Sequence, residues 1–291
     1  MRALLPALAL AVAASPVVAQ LPKGVEVGTT PDLPSRGAVA WIRVTADSTL
    51  AADTLTGVDG QVEGEPLHFE ARRAGGYRAL LPIPLEGGDT LQVELMLHRE
   101  TRSDTAQVLL TVAREAYPRE RLKVAPRMAR PDSAAAARID REVAQARAIA
   151  RASHATPSLW VGAFRLPRPS HITSRFGAAR EFNGEITSRH LGTDFAGKVG
   201  APVSAPARGV VALVADFYLA GHALYLDHGG GLVTGYFHLS RTLVAPGDTV
   251  LPGQPIGEVG RTGRVTGPHL HWIARYGSIN VDPMSLVELP W

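Results

Sequence analysis

The chain has 291 residues, 45% of them hydrophobic and 20% charged, with 29 Gly, 22 Pro and no Cys. The apolar fraction excludes wholesale disorder, and Gly and Pro without a period exclude collagen and suit a turn-rich β protein. Absent Cys excludes disulfides, thiolate metal sites, a Cys nucleophile and a lipid anchor on an N-terminal Cys. The net charge of +3 is uneven: 9 basic against 14 acidic residues in 20–115, 9 against 4 in 116–160, and 11 against 9 in 161–291. The basic excess thus sits in the middle segment, which speaks against a nucleic-acid-binding face.

Residues 1–19 read as a signal peptide. Arg2 supplies the positive end, residues 4–14 are an unbroken apolar run, and Pro16 precedes small residues ending at Ala19. The alternative is a retained anchor. The apolar run is short of the ~20 residues that span a bilayer, and the small-residue exit favours cleavage. Export to the periplasm or cell envelope follows, with no stable membrane insertion after cleavage.

Residues 20–115 read as a β-sandwich of immunoglobulin-like type. Leu91, Val93, Leu95 and Leu97 alternate along one face, as do Val108, Leu110 and Val112. Further strand-like runs fall at 38–44, 68–71 and 77–83, separated by Gly- and Asp-rich turns. His68 and His98 are isolated and read as ordinary strand or surface residues.

Residues 116–160 read as a basic linker with a helix starting near Pro131. Asp132 or Ser133 caps it, and Ile139, Val143, Ala146 and Ala150 form an apolar stripe. The arginines lie mostly off that stripe. They suit either a contact with anionic envelope polymers or a solvated face on a helix bracing two domains; the second reading is favoured.

Residues 161–291 read as an antiparallel β domain with short strands, many Gly turns and seven of the ten histidines. Three pieces of it carry chemistry. His190 and Asp194 are four apart in an extended segment and face one side. His269 and His271 are two apart on a strand and also share a face, with Leu270, Trp272 and Ala274 on the other. His238 ends a further probable strand. Catalytic zinc takes three protein ligands and keeps a position for water. Two His and one Asp would satisfy it without Cys, leaving two His for acid/base work or oxyanion stabilisation.

Residues 173–283 resemble the lysostaphin-like, LytM-type zinc metalloendopeptidases that cut peptidoglycan peptides. In order, the matching elements are Ser174-Arg-Phe-Gly177, His190-Leu-Gly-Thr-Asp-Phe-Ala196, Gly200-Ala-Pro-Val203 and Gly209-Val-Val211. Asp227-His-Gly-Gly-Gly-Leu232, Tyr236-Phe-His-Leu-Ser240, Gly247-Asp-Thr-Val250 and Gly253-Gln-Pro-Ile-Gly257 follow. Gly260-Arg-Thr-Gly263, Thr266-Gly-Pro-His-Leu-His271 and Val281-Asp-Pro283 complete the set. The resemblance implies a lysostaphin-like (duplicated hybrid motif) fold, Zn2+ as cofactor and peptidoglycan as substrate. It implies His190, Asp194 and His271 as zinc ligands, His269 as general base and His238 as the group that orients or stabilises the oxyanion. A monomer is expected. The rival reading is a non-enzymatic wall-binding or amidase-activating module that keeps a metal site.

Other residues take plainer readings. His228 sits in a turn and is structural, and His154 ends the helix, where a cation suits the dipole. The glycines 229–231 lack the Lys-Ser/Thr of a phosphate loop. Arg175, Asn183, Tyr236 and Arg264 are candidates to border a substrate groove.

Overall fold

A computed structural model describes residues 17–18, 21–46, 54–184 and 186–291. The apolar run at 4–14 and the expected cleavage after Ala19 lie outside the described residues. No helix among the described residues is long and apolar enough to cross a membrane.

The chain is mostly β, in antiparallel sheets. In the N-terminal half, Thr90–Arg99 shows the alternation its sequence predicts: Leu91, Val93, Leu95 and Leu97 are buried, and their neighbours face water. Its sheet runs Val17–Val18, Ser103–Thr111, Thr90–Arg99, Leu55–Val62, Glu65–Leu67. A second sheet runs Val25–Thr30, Val39–Ala46, Tyr77–Pro82, Glu70–Ala71. The two bury one shared core, including Ile42, Leu81, Val93 and Leu97. Val39–Ala46 does not alternate, because both of its faces are covered. One faces the partner sheet. The other faces the C-terminal half, where Trp41 packs edge-on against Trp291, with Trp160 and Phe164 beside them.

The C-terminal half is built on a ten-stranded sheet. Its order includes Ile172–Ser174, Thr193–Ala196, His269–Tyr276, Leu232–Thr242, Gly221–Gly229 and Gly209–Phe217. One face buries Leu270, Trp272, Phe195, Tyr236, Leu224 and Leu226. The other carries Ile273, Phe237, Tyr225 and Val233, and the helix Ser133–Ala152 lies on it through Ala146 and Ala150. The helix packs on the C-terminal sheet alone rather than between the two halves. Asp132 is its N-cap and accepts from the Ala135 N–H at 2.8 Å. Glu142 accepts from the Tyr218 N–H, and Arg138 donates to the Asp216 carbonyl.

The segment read as a linker is more structured than its composition suggests. Arg119–Leu122 pairs in parallel with Ala179–Phe182, making a three-stranded sheet with Ile186–Arg189. The chain then crosses by the short helix Pro126–Ala129 to Tyr218 and Arg264. Pairing of this kind leaves no periodic apolar signal to read.

Candidate metal centre

Strand register assembles the site. Thr193–Ala196 pairs with His269–Tyr276 so that Asp194 lies opposite His271 and Ala196 opposite His269. Directly opposed residues share a face, so the carboxylate and both imidazoles project together. The Asp194 Oδ1 and His271 Nδ1 atoms are 2.6 Å apart.

His190 reaches the same point from the end of the Ile186–Arg189 strand. Its N–H donates to the Ala178 carbonyl, and its carbonyl accepts from Gly177. The Nδ1 atom lies 2.9 Å from the Arg175 carbonyl and 2.9 Å from Ser174 Oγ. A carbonyl only accepts, so Nδ1 carries the proton and Nε2 presents its lone pair. That Nε2 is 3.1 Å from Asp194 Oδ1 and 3.0 Å from His271 Nδ1. Gly192 makes room, since a Cβ there would meet the His271 ring at 2.7 Å and the Trp272 carbonyl at 2.6 Å.

Three donor atoms thus converge from His190, Asp194 and His271. Tetrahedral zinc bonded to N and O at about 2.0–2.1 Å would space its ligand atoms by roughly 3.3 Å. The observed spacing is slightly tighter, and a small opening of the triad would seat such an ion. The donor set, two imidazoles and a carboxylate, suits zinc chemistry.

Burial by itself would raise the Asp194 carboxyl. Its neighbours His271 and His190 overcome this and hold it well below the usual carboxylate range. Burial pushes His271 down to about 4, with Asp194 opposing.

His238 and His269 stand beside this cluster, their rings 4.9 Å apart. His238 sits at a bulge where Gly221–Gly229 and Leu232–Thr242 shift register, and its φ is 61°. Such strain re-aims a side chain and collects at functional sites. Each ring is tied at Nδ1 by a backbone carbonyl at 2.8 Å, Thr262 for His238 and Gly267 for His269. Both therefore hold their proton on Nδ1 when neutral and keep Nε2 as an acceptor.

Arg180 completes the surroundings and carried no motif of its own. Its Nη2 donates to Asp194 Oδ2 at 2.6 Å and to Ser174 Oγ at 2.9 Å, while Nε donates to Glu120 Oε2 at 3.0 Å. Six residues separate Arg180 from Ser174, and no spacing rule marks that distance. Of the groove candidates, Tyr236 is fully buried with its hydroxyl on Thr234. Asn183 clasps Val124 through two hydrogen bonds, and Arg264 stacks over Phe182. His228 is structural, held between the Arg208 carbonyl and Thr234. His68 is not isolated: it bonds to His154, which bonds in turn to Glu65.

Residues 188–283 match the model of peptidase family M23. That segment contains His190, Asp194, His238, His269 and His271. It is 40% identical over 121 residues to the peptidoglycan DD-endopeptidase ShyC of Vibrio cholerae, covering 41% of this chain and 28% of that one. It is 45% identical over 121 residues to the DD-carboxypeptidase/endopeptidase Mpg of Neisseria meningitidis, 42% of this chain and 28% of the other. The chain therefore spans less than a third of these relatives. A solved M23 peptidase structure from Pseudomonas aeruginosa superposes with a TM-score of 0.66 at 27% identity, over 87% of this chain and 95% of that one.

Proposed function

We propose that this chain is an exported zinc endopeptidase that hydrolyses peptide bonds in peptidoglycan stems or cross-links. The observation that carries the reading is the meeting of His190 Nε2, Asp194 Oδ1 and His271 Nδ1 beside two further histidines with acceptor Nε2 atoms. The names of ShyC and Mpg support the substrate class.

His190, Asp194 and His271 would hold the ion. Zinc, when bound, lowers the pKa of water to about 7 and polarises the scissile carbonyl. His269 takes the proton of the attacking water at Nε2, and the Gly267 carbonyl keeps its ring aligned. The same nitrogen then returns the proton to the leaving amine. His238 donates through Nε2 only when doubly protonated, because its Nδ1–H is committed to Thr262, and burial with His271 and His269 nearby disfavours that form in the resting site. The negative charge developing on the carbonyl oxygen favours that form. Arg180 holds Oδ2 of Asp194 and so aims Oδ1 at the ion.

The division into residues 20–115, 116–160 and 161–291 gives the reading its parts. The last segment bears the chemistry, and the first two brace and orient it. A wall-binding or activating module has no use for His238 and His269 together, which disfavours that rival. Digestion of purified sacculi with and without a chelator tests the reading. Release of new amine termini by the metal-loaded protein supports it, and no release refutes it.

A further inference from the structure

The helix Ser133–Ala152 does not close completely on the sheet face it covers. A cavity of about 190 Å³ remains between them. Ile139 and Val143 of the helix line it, as do Leu191, Phe237 and Ile273 on the opposite side. His271 and Arg275 also line it. These two lie four residues apart on one face of one strand, so the cavity extends roughly 13 Å along the sheet away from the metal cluster. Leu191 and Val143 are 38% and 39% exposed, which leaves the cavity open to solvent between them.

The chemistry of the two ends differs. The near end is a metal-site imidazole among apolar side chains. The far end is a guanidinium that is only 7% exposed. Its Nη2 donates to the Ser278 carbonyl, but its Nε is buried with no hydrogen-bond partner. Among the described residues no carboxylate lies within ion-pair distance of it. Arg147 and Arg151 add positive potential, and Glu65 is the acidic group that opposes them. Glu65 is already bonded to the Ser278 N–H and to His154. Glu142, the acidic residue in the cavity wall, is likewise bonded to Arg138 and the Tyr218 N–H. A buried, unpaired cation is costly unless an anion completes it.

We propose that this cavity is a substrate subsite for a residue whose apolar side chain ends in a carboxylate, with the methylenes along Val143, Phe237 and Ile273 and the carboxylate on Arg275. The subsite rests on the peptidase reading for its proximity to the scissile bond. It adds to it a specificity element from a helix outside the matched segment 188–283. Arg275 acts by binding and takes no part in bond cleavage.

The test is binding to the full chain freed of metal by a chelator, so that turnover does not intervene. The probes are two stem tetrapeptides differing at one group, one whose third residue is 2-aminoadipate with its side-chain carboxylate free and one with that carboxylate amidated. The acid is expected to bind about tenfold or more tightly than the amide, as a desolvated charge-assisted hydrogen bond requires. Arg275→Gln should remove the difference, and Val143→Phe, which narrows the mouth and leaves Arg275 in place, should weaken the acid peptide. Equal affinity of the native protein for acid and amide, or no binding of either, overturns the subsite whatever the variants do. Discrimination in binding, together with no cleavage of purified sacculi by the zinc-loaded protein, would leave the subsite standing and overturn the peptidase reading instead.

Discussion

Arg180 donates to one oxygen of Asp194, Oδ2 at 2.6 Å, and the other oxygen, Oδ1, faces both His190 and His271. The guanidinium thus selects which carboxylate oxygen serves the ion. Groups that orient a metal ligand are worth 10–100-fold in metal affinity. Arg180→Met should weaken zinc binding by about that factor, measured by competition with a chromophoric chelator, and Glu120→Gln should weaken it less. Unchanged affinity in Arg180→Met would show that Asp194 needs no such support.

His269 and His271 are neighbours on one strand face with different assigned tasks. His269→Ala should keep its zinc and lose roughly 10²–10⁴-fold in turnover. His271→Ala should lose the zinc as well. Metal content by atomic emission, measured beside peptide cleavage, separates the two. Loss of zinc from His269→Ala would reassign that residue as a ligand.

The buried His228 sets a pH dependence of stability. Burial lowers its pKa to about 4 from 6.5, against the Arg208 carbonyl and Asp227, which raise it. Between these values the unfolded chain binds a proton that the folded chain does not. The contribution is therefore intact above pH 6.5 and is lost as pH falls toward 4, by on the order of 3 kcal/mol. His228→Gln should cost stability at pH 7 and flatten the fall between pH 7 and 4, relative to the native chain in denaturant titrations. An unchanged slope would contradict the assignment.

Trp291 ties the two halves together. It packs edge-on against Trp41 with ring centroids 5.1 Å apart and against Trp160 at 4.7 Å, and the Trp41 Nε1–H donates to the Pro290 carbonyl. Trp291→Ala should lower unfolding free energy by about 2–3 kcal/mol, less than a fully buried Trp loses because its face is partly open. A change within about 0.5 kcal/mol would mean that the halves dock independently of this cluster.

Strand periodicity puts His269 and His271 on one face, whereas His190 follows one strand, Asp194 lies on the next, and they meet through the turn between them, which alternation does not predict. The β character of the N-terminal half was likewise carried by Leu91 to Leu97. What was hidden depends on contacts distant in sequence. Arg180 and Glu120 are 60 residues apart and meet only because Arg119–Leu122 adds itself to a hairpin. Val25–Thr30 carries only short apolar alternation and was not marked as a strand. His68 looked isolated because its partners, His154 and through it Glu65, are brought together by docking of the two halves. Tyr236, two residues before His238, is expected at the groove but faces the opposite core, because the bulge at His238 breaks the alternation and turns only the His238 ring to the site.

The central claim is peptide hydrolysis at the His190–Asp194–His271 centre. The most direct measurement is mass spectrometry of muropeptides from sacculi treated with the zinc-loaded native chain and with His271→Ala. The account predicts new peptide-cleaved products with the native protein, abolished by chelator and absent with the variant. Full product formation by His271→Ala, or none by the native protein, would contradict it.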